Sequence, residues 1–231
     1  MTGAVAMVAN TTHESMLQAA AVELGLDLTP HQIDALLRFN DLLQRWNAVY
    51  NLTAVRDSTA ALSLHVIDCL AAVPAVRRQM ALSEGRSLVD VGSGGGLPGV
   101  IFAIADPSMR VTCVDAVGKK AAFVTQVAGE LGLQNLTSVH RRAEELNGQF
   151  SVIASRAFSS LNDFARITRH LRSPSGVWMA MKGKIPGDEI AGLSDDYRMF
   201  HVEHLNVPGL SADRCLVWMQ PSAATNQSES P

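Results

Sequence analysis

The 231 residues, 47% apolar and only 18% charged, suffice to bury a sizeable core and suit one domain with an appendage or two small ones. A formal charge of -3 is the wrong sign for a generic nucleic-acid binder, so any contact with RNA or DNA must rest on a local patch. Cys69, Cys113 and Cys215 are odd in number and form no CxxC pair, which argues against a disulfide framework or a zinc site and gives no metal to expect.

Residues 1–13 read as an extension expected to be disordered, and 14–75 as a helical region. Apolar spacing of three and four runs from Leu17 to Leu24. After Thr29-Pro30 a second helix carries Ile33, Leu36, Leu37, Asn40, Leu43 and Trp46 on one face. Trp46 and Tyr50, one turn apart, fit a core stripe better than a base-stacking platform. A third helix is predicted over 58–73. It places His65 and Asp68 three apart, on one side, where they either brace the helical region or face a substrate.

From residue 76 to 220 the chain alternates strand and helix. Strands are predicted at 87–91, 111–115, 136–140, 151–155 and 177–181, with helices at 100–105, 119–131, 162–171 and 187–193 between them. That order implies a mostly parallel sheet with right-handed crossovers and helices on both faces. Two last strands, 197–207 and 214–219, joined by Pro208-Gly209, give an antiparallel finish. The tail 221–231, rich in Ser and Asn, is expected to be disordered. No apolar run reaches the roughly 18 residues a membrane helix needs. Ala4 to Ala9 lacks the basic flank of a signal peptide, so the expectation is a cytoplasmic chain outside any membrane.

The most informative stretch is Leu88 to Gly99: an apolar strand, an acid, a glycine-rich turn and a helix-starting proline. Such a turn brings bare backbone against a ligand. Gly94, Gly96 and Gly99 satisfy the dinucleotide pattern GxGxxG, while Asp90, Gly92, Gly94 and Gly96 satisfy DxGxGxG. Asp115, ending the next strand, is placed for ribose hydroxyls in either reading. Asp90 separates them: a buried carboxylate opposes a pyrophosphate but suits an ammonium or sulfonium. The favoured ligand is S-adenosylmethionine, with NAD and a purely structural turn as the alternatives.

Six segments then carry a resemblance: Arg45 to Thr53, His65 to Asp68, Asp90 to Gly99, Asp115 with Gly118-Lys119-Lys120, Ser155 to Leu161, and Met181-Lys182-Gly183. In that order they resemble the RsmG (GidB) family over about residues 14–220. The resemblance implies a class I, Rossmann-like methyltransferase: a seven-stranded, mostly parallel sheet with an antiparallel last strand, plus the N-terminal helical region. It implies methylation of N7 of one guanosine in the 530 loop of bacterial 16S ribosomal RNA, with the RNA or the small ribosomal subunit as partner. Its cofactor positions fall on Gly92, Leu97, Ala143, Glu144 and Arg156, beside Asp90, Gly94, Gly96 and Asp115 from the turn itself.

Guanine N7 is an exposed lone pair, so no catalytic base is expected. Arg156 or Lys182 is a candidate to orient the neighbouring O6, and His65 a candidate substrate contact. Arg77-Arg78, Lys119-Lys120, Arg141-Arg142 and the run Arg166, Arg169, His170, Arg172 are candidates for a basic rim. A monomer is expected. A methyltransferase for another RNA or a small molecule, an NAD-dependent oxidoreductase, and a non-enzymatic RNA-binding factor are the competing readings.

Overall fold

The computed structural model describes residues 2–158 and 160–222, with side chains from Thr12 onward. Ser159, and residues 223–231 of the tail expected to be disordered, lie outside that description. Helix α1 spans Thr2–Glu23. Buried His13 hydrogen-bonds with the Thr59 hydroxyl at 2.9 Å, so the boundary drawn at residue 13 falls inside a packed helix. Pro221 likewise pairs with Tyr197 rather than opening the tail.

Thr29 caps α2 (Pro30–Tyr50) reciprocally: its hydroxyl accepts from the Gln32 N–H, and the Gln32 side chain accepts from the Thr29 N–H. The helix ends at Asn51, which is left-handed at φ 52°. Trp46 lies 5.4 Å from the Phe123 ring and 4.9 Å from Tyr50, a packed aromatic group as the spacing suggests.

The predicted third helix is not continuous. It runs as α3 (Ser58–Ala61), a wide π-turn (Leu62–Ile67) and α4 (Asp68–Leu70), and then restarts as α5 (Val73–Ala81), which the sequence reading missed. Contrary to that reading, Ser58–Ala81 is long and apolar enough to meet the composition of a membrane span. Its most apolar stretch is instead 67% buried inside this fold.

Strands β1 (Ser87–Val91), β2 (Arg110–Asp115), β3 (Leu136–His140), β4 (Phe150–Arg156), β5 (Arg172–Lys182), β6 (Tyr197–His204) and β7 (Cys215–Pro221) form one sheet in the order β3-β2-β1-β4-β5-β7-β6. The first five pairings are parallel apart from β5 with β7, and β7 runs antiparallel to both its neighbours. Helices α6 (Gly99–Ala105), α7 (Gly118–Glu130), α8 (Leu161–Thr168) and α9 (Gly187–Ala191) connect the strands.

Alternate strand residues face two cores. Leu88, Val152, Met179 and Trp218 join Leu36, Phe39, Val66, Phe102 and Val124 on one face. Val89, Ile153, Trp178 and Val217 join Leu161 and Phe164 on the other. The N-terminal helices therefore share a core with the sheet. Strand order reverses beside β1, where an open sheet leaves its ligand crevice.

Candidate functional site

Two cavities open at the carboxyl ends of the strands. The smaller, about 210 Å³, is lined by Val91 and Gly92 after β1, Val114 to Ala116 after β2, Arg141 to Glu144 after β3, and Phe158 and Ile167. The larger, about 500 Å³, is lined by Arg156 and Ala157 after β4, Met181 to Gly183 after β5, Arg214 and Cys215 entering β7, Leu205, and Val55, Leu64, His65 and Asp68 from the helical region. The end of β4 divides them. Ala157 adopts the left-handed conformation at φ 61°, and across it Arg156 lines the larger chamber while Phe158 lines the smaller. Such strain in a residue bearing a Cβ concentrates where a site dictates the backbone.

Around the smaller chamber the glycine turn is held by carboxylates. Gly92 at φ +68° puts bare backbone toward Phe158, and a Cβ there would meet that ring at 3.7 Å. Gly96 has no such role: a Cβ on it would strike Val100 at 2.4 Å, so it serves the packing of the turn on α6. Leu97 is buried in the core, and none of Asp90, Gly94, Gly96 and Leu97 lines either chamber. Asp115 accepts from the Gly94 N–H at 2.9 Å and the Val117 N–H at 2.8 Å, facing the chamber from the end of β2.

Asp90 is fully buried. One oxygen accepts from the Gly99 N–H at 2.8 Å, and the other, Oδ1, has no partner among the described residues. Burial pushes its carboxyl up to about 7, against the pull of the Gly99 N–H and the Arg156 charge. A buried acceptor without a donor is what a cationic ligand group would satisfy.

In the larger chamber the three sequence candidates meet, with different roles. His65 Nδ1 lies 3.0 Å from the Leu64 carbonyl, which only accepts, so Nδ1 carries the proton. Nε2 then accepts from the Thr53 hydroxyl at 2.7 Å. Burial, reinforced by Arg156, lowers the His65 pKa and keeps the ring neutral. Thr53 and Val55 are themselves set by buried Asn47, whose Oδ1 accepts from the Thr53 N–H and whose Nδ2 donates to the Val55 carbonyl, both at 2.8 Å. Residues of the Arg45 to Thr53 segment thus hold Val55 and His65, which form part of the wall.

Lys182 does not reach freely into the chamber, because its ammonium sits 2.9 Å from both Glu189 carboxylate oxygens. Arg156 contacts the Leu64 carbonyl at 3.3 Å and Asp68 at 3.4 Å. Arg156 faces the larger chamber and is absent from the smaller one, where the family positions would put a cofactor contact. Sequence reading gave no role to Thr53 and Phe158, although both lie in segments that carry the resemblance, and missed Arg214, which lies in none of them.

Of the expected basic rim, Lys119, Lys120, Arg141 and Arg142 lie at the carboxyl ends of β2 and β3. The others are structural. Arg77 donates to the Ala105 carbonyl, Arg78 pairs with Glu203, Arg166 with Asp163, and Arg172 donates to backbone carbonyls at the far end of β5.

Residues 32–217 match the GidB family, described as rRNA small subunit methyltransferase G. The chain belongs to this family. It is 54% identical over 226 residues to Ribosomal RNA small subunit methyltransferase G of Acidovorax sp. (strain JS42), covering 95% of this chain and all of that one. The same-named protein of Verminephrobacter eiseniae (strain EF01-2) is 51% identical over 231 residues, covering 93% and 97%.

Among solved structures, magnesium protoporphyrin IX methyltransferase from Synechocystis PCC 6803 with bound SAM superposes with a TM-score of 0.54. It is 12% identical and covers 79% of this chain and 97% of its own. Ribosomal protein L11 methylase from Lactobacillus delbrueckii subsp. bulgaricus gives 0.50 at 13% identity, covering 72% and 80%. At these identities the structures establish the fold: the GidB-family chain has the class I methyltransferase sheet, and as a member it is an S-adenosylmethionine-dependent rRNA methyltransferase.

Proposed function

We propose that this chain transfers the methyl group of S-adenosylmethionine to N7 of a guanosine in the 530 loop of 16S ribosomal RNA, acting as a cytoplasmic monomer on the RNA or the small subunit. The observation that carries the reading is the pair of chambers meeting at the end of β4, one sized and lined for an adenosine and the other open to a base.

The residues fit the cofactor. Asp115 would accept from ribose hydroxyls, Glu144 from the adenine amino group, and the unpartnered Asp90 Oδ1 from an ammonium, with Gly92 backbone and Ala143 closing the walls. Bound there, the cofactor supplies a methyl carbon activated by its sulfonium. The chain need not remove a proton, because N7 attacks with a lone pair it already has and guanine becomes cationic. His65 agrees with that: it is neutral and its Nε2 lone pair is engaged by Thr53, which makes it a wall and not a base.

What the side chains contribute is orientation and exclusion of water. Guanine presents O6 beside N7, and Arg156, which lines the larger chamber, would donate to it. Lys182 is held by Glu189. The test is to incubate the protein with labelled methyl donor and small subunits from a strain lacking the modification, then map the label by cleavage at 7-methylguanosine. Label at that guanosine is expected; label elsewhere, or none, overturns the reading.

A further inference from the structure

Asp68 is 3% exposed and sits at the start of α4, directly after the π-turn. Its Oδ1 accepts from Arg214 Nε at 2.6 Å, and its Oδ2 pairs with Arg156 Nη1 at 3.4 Å. Each guanidinium has a second anchor. Arg156 Nη1 also donates to the Leu64 carbonyl at 3.3 Å, and Arg214 Nη1 to the Asp213 carbonyl at 2.8 Å. Leu64 is available because the Asp68 N–H bonds the carbonyls of Ser63 and His65 and passes over Leu64, its ordinary α-helical acceptor. One helical turn, from Leu64 to Asp68, therefore supplies both acceptors that hold Arg156, a carbonyl and a carboxylate.

Arg156 Nε and Nη2, and Arg214 Nη2, have no partner among the described residues, and both side chains line the larger chamber. Two guanidinium groups around one carboxylate leave a net positive charge there, the local patch that a chain of net charge -3 needs to meet RNA. Lys182, neutralised by Glu189, adds nothing to it.

We propose that Asp68 is a positioning residue that fixes Arg156 and Arg214 as a rigid pair of donors reading the O6 edge of the target base, and so selects guanine over purines without a carbonyl at position 6. Guanine offers two adjacent acceptors on that edge, O6 and N7, whereas adenine offers a donor amino group in place of O6. With N7 committed to the methyl carbon, O6 is the remaining handle. Fixed guanidinium groups donate to it and repel an amino group. A flexible guanidinium would turn away and discriminate less. The assignment rests on N7 of guanosine as the methylated atom.

The experiment uses small subunits assembled with either guanine or 2-aminopurine at the target position; 2-aminopurine keeps N7 and the 2-amino group but lacks O6. Methyl transfer by the wild-type chain is expected to favour guanine at least about tenfold, the weight of one good base-edge contact. In Asp68→Asn, kcat on guanine should fall at least about tenfold, affinity for S-adenosylhomocysteine should hold, and the guanine to 2-aminopurine ratio should collapse toward one. Asp68→Glu keeps the charge on a longer stem and should lose part of the ratio, which keeps the test alive if the amide variant does not fold.

A residue that only stabilised the fold would slow both substrates alike, so an unchanged ratio in a folded variant overturns the role of Asp68. A wild-type ratio near one overturns the O6 reading. Absence of wild-type label at guanosine N7 overturns the reading beneath it.

Discussion

Arg214 Nε lies 2.6 Å from Asp68 Oδ1 across 146 positions of sequence, joining the entry of the last strand to the helical region. Neither residue lies in the glycine turn. The contact braces the wall of the larger chamber, which both residues line.

Asp115→Ala should weaken binding of S-adenosylhomocysteine by about ten- to a hundredfold. A hydrogen bond to a charged group contributes about 1.5–3 kcal/mol, and this carboxylate also holds the Gly94 and Val117 amides in place. Titration calorimetry gives the number. Near-normal affinity would remove Asp115 from the ribose site.

Asn47→Ala should cost about 2 kcal/mol of stability, since it strands the Thr53 N–H and the Val55 carbonyl in a partly buried loop. Turnover should fall further than stability explains, because that loop carries the hydroxyl that orients His65. Urea denaturation and methyl transfer on the same preparation separate the two effects.

Ala157→Val should destabilise the chain by about 2 kcal/mol or more and lower turnover, because a β-branched side chain resists φ 61° at the partition between the chambers. Ala157→Gly should keep its melting temperature within a few degrees of wild type, the relief of strain offsetting the added freedom of the unfolded chain. If both variants melt alike, the backbone there is not under constraint.

Asp90 gives stability a pH dependence of definite sign. Its carboxyl is raised to about 7 in the folded chain and ionises near about 4 when unfolded. Between those values the folded state retains a proton the unfolded state has released, so this group's stabilisation is full at low pH and is lost as pH rises through the folded value. Asp90→Asn keeps an acceptor for the Gly99 N–H without that loss. Melting the two proteins without methyl donor from about pH 5 to about pH 8 should show the variant gaining on the wild type; a constant gap would mean the carboxyl ionises normally.

Arg141 and Arg142 are exposed at the mouth of the smaller chamber. Replacing both with Ala should weaken affinity for 16S RNA and flatten its salt dependence by about 0.7 in log–log slope per lost phosphate contact. Titration with S-adenosylhomocysteine on the same preparations reads separately what the change costs the chamber that both arginines line. Fluorescence anisotropy at several salt concentrations measures the RNA slope, and an unchanged slope would place the RNA elsewhere.

The sheet was legible because its signals are local. A run such as Leu88 to Val91 alternates between the two cores, and the glycine turn after it announces the first crossover. Boundaries of β1 and β3 fall where apolar pattern and turn residues put them. What escaped was what depends on distant partners. The restart at Val73 has a local mark, Pro74 in the first turn of α5, but nothing in the composition of 58–81 marks the π-turn.

Lys182 looked free in sequence, and only the fold of α9 brings Glu189 onto it. Arg78 and Arg166 formed apparent basic runs that the structure spends on Glu203 and Asp163. Asp68 was visible beside His65 on a helix face. Its arginine partners were not, since no local pattern links 68 to 156 and 214.

The π-turn has a consequence for how such an enzyme changes over time. Val55, Leu64, His65 and Asp68 come from the helical region, whereas every residue lining the smaller chamber comes from the sheet, its loops and α8. The helical region thus contributes to the larger chamber alone, while the two arginines of that chamber, Arg156 and Arg214, come from the sheet. Insertion or loss of a single residue around Leu64 would rephase Asp68 against two arginines at once while leaving every residue that lines the smaller chamber in place.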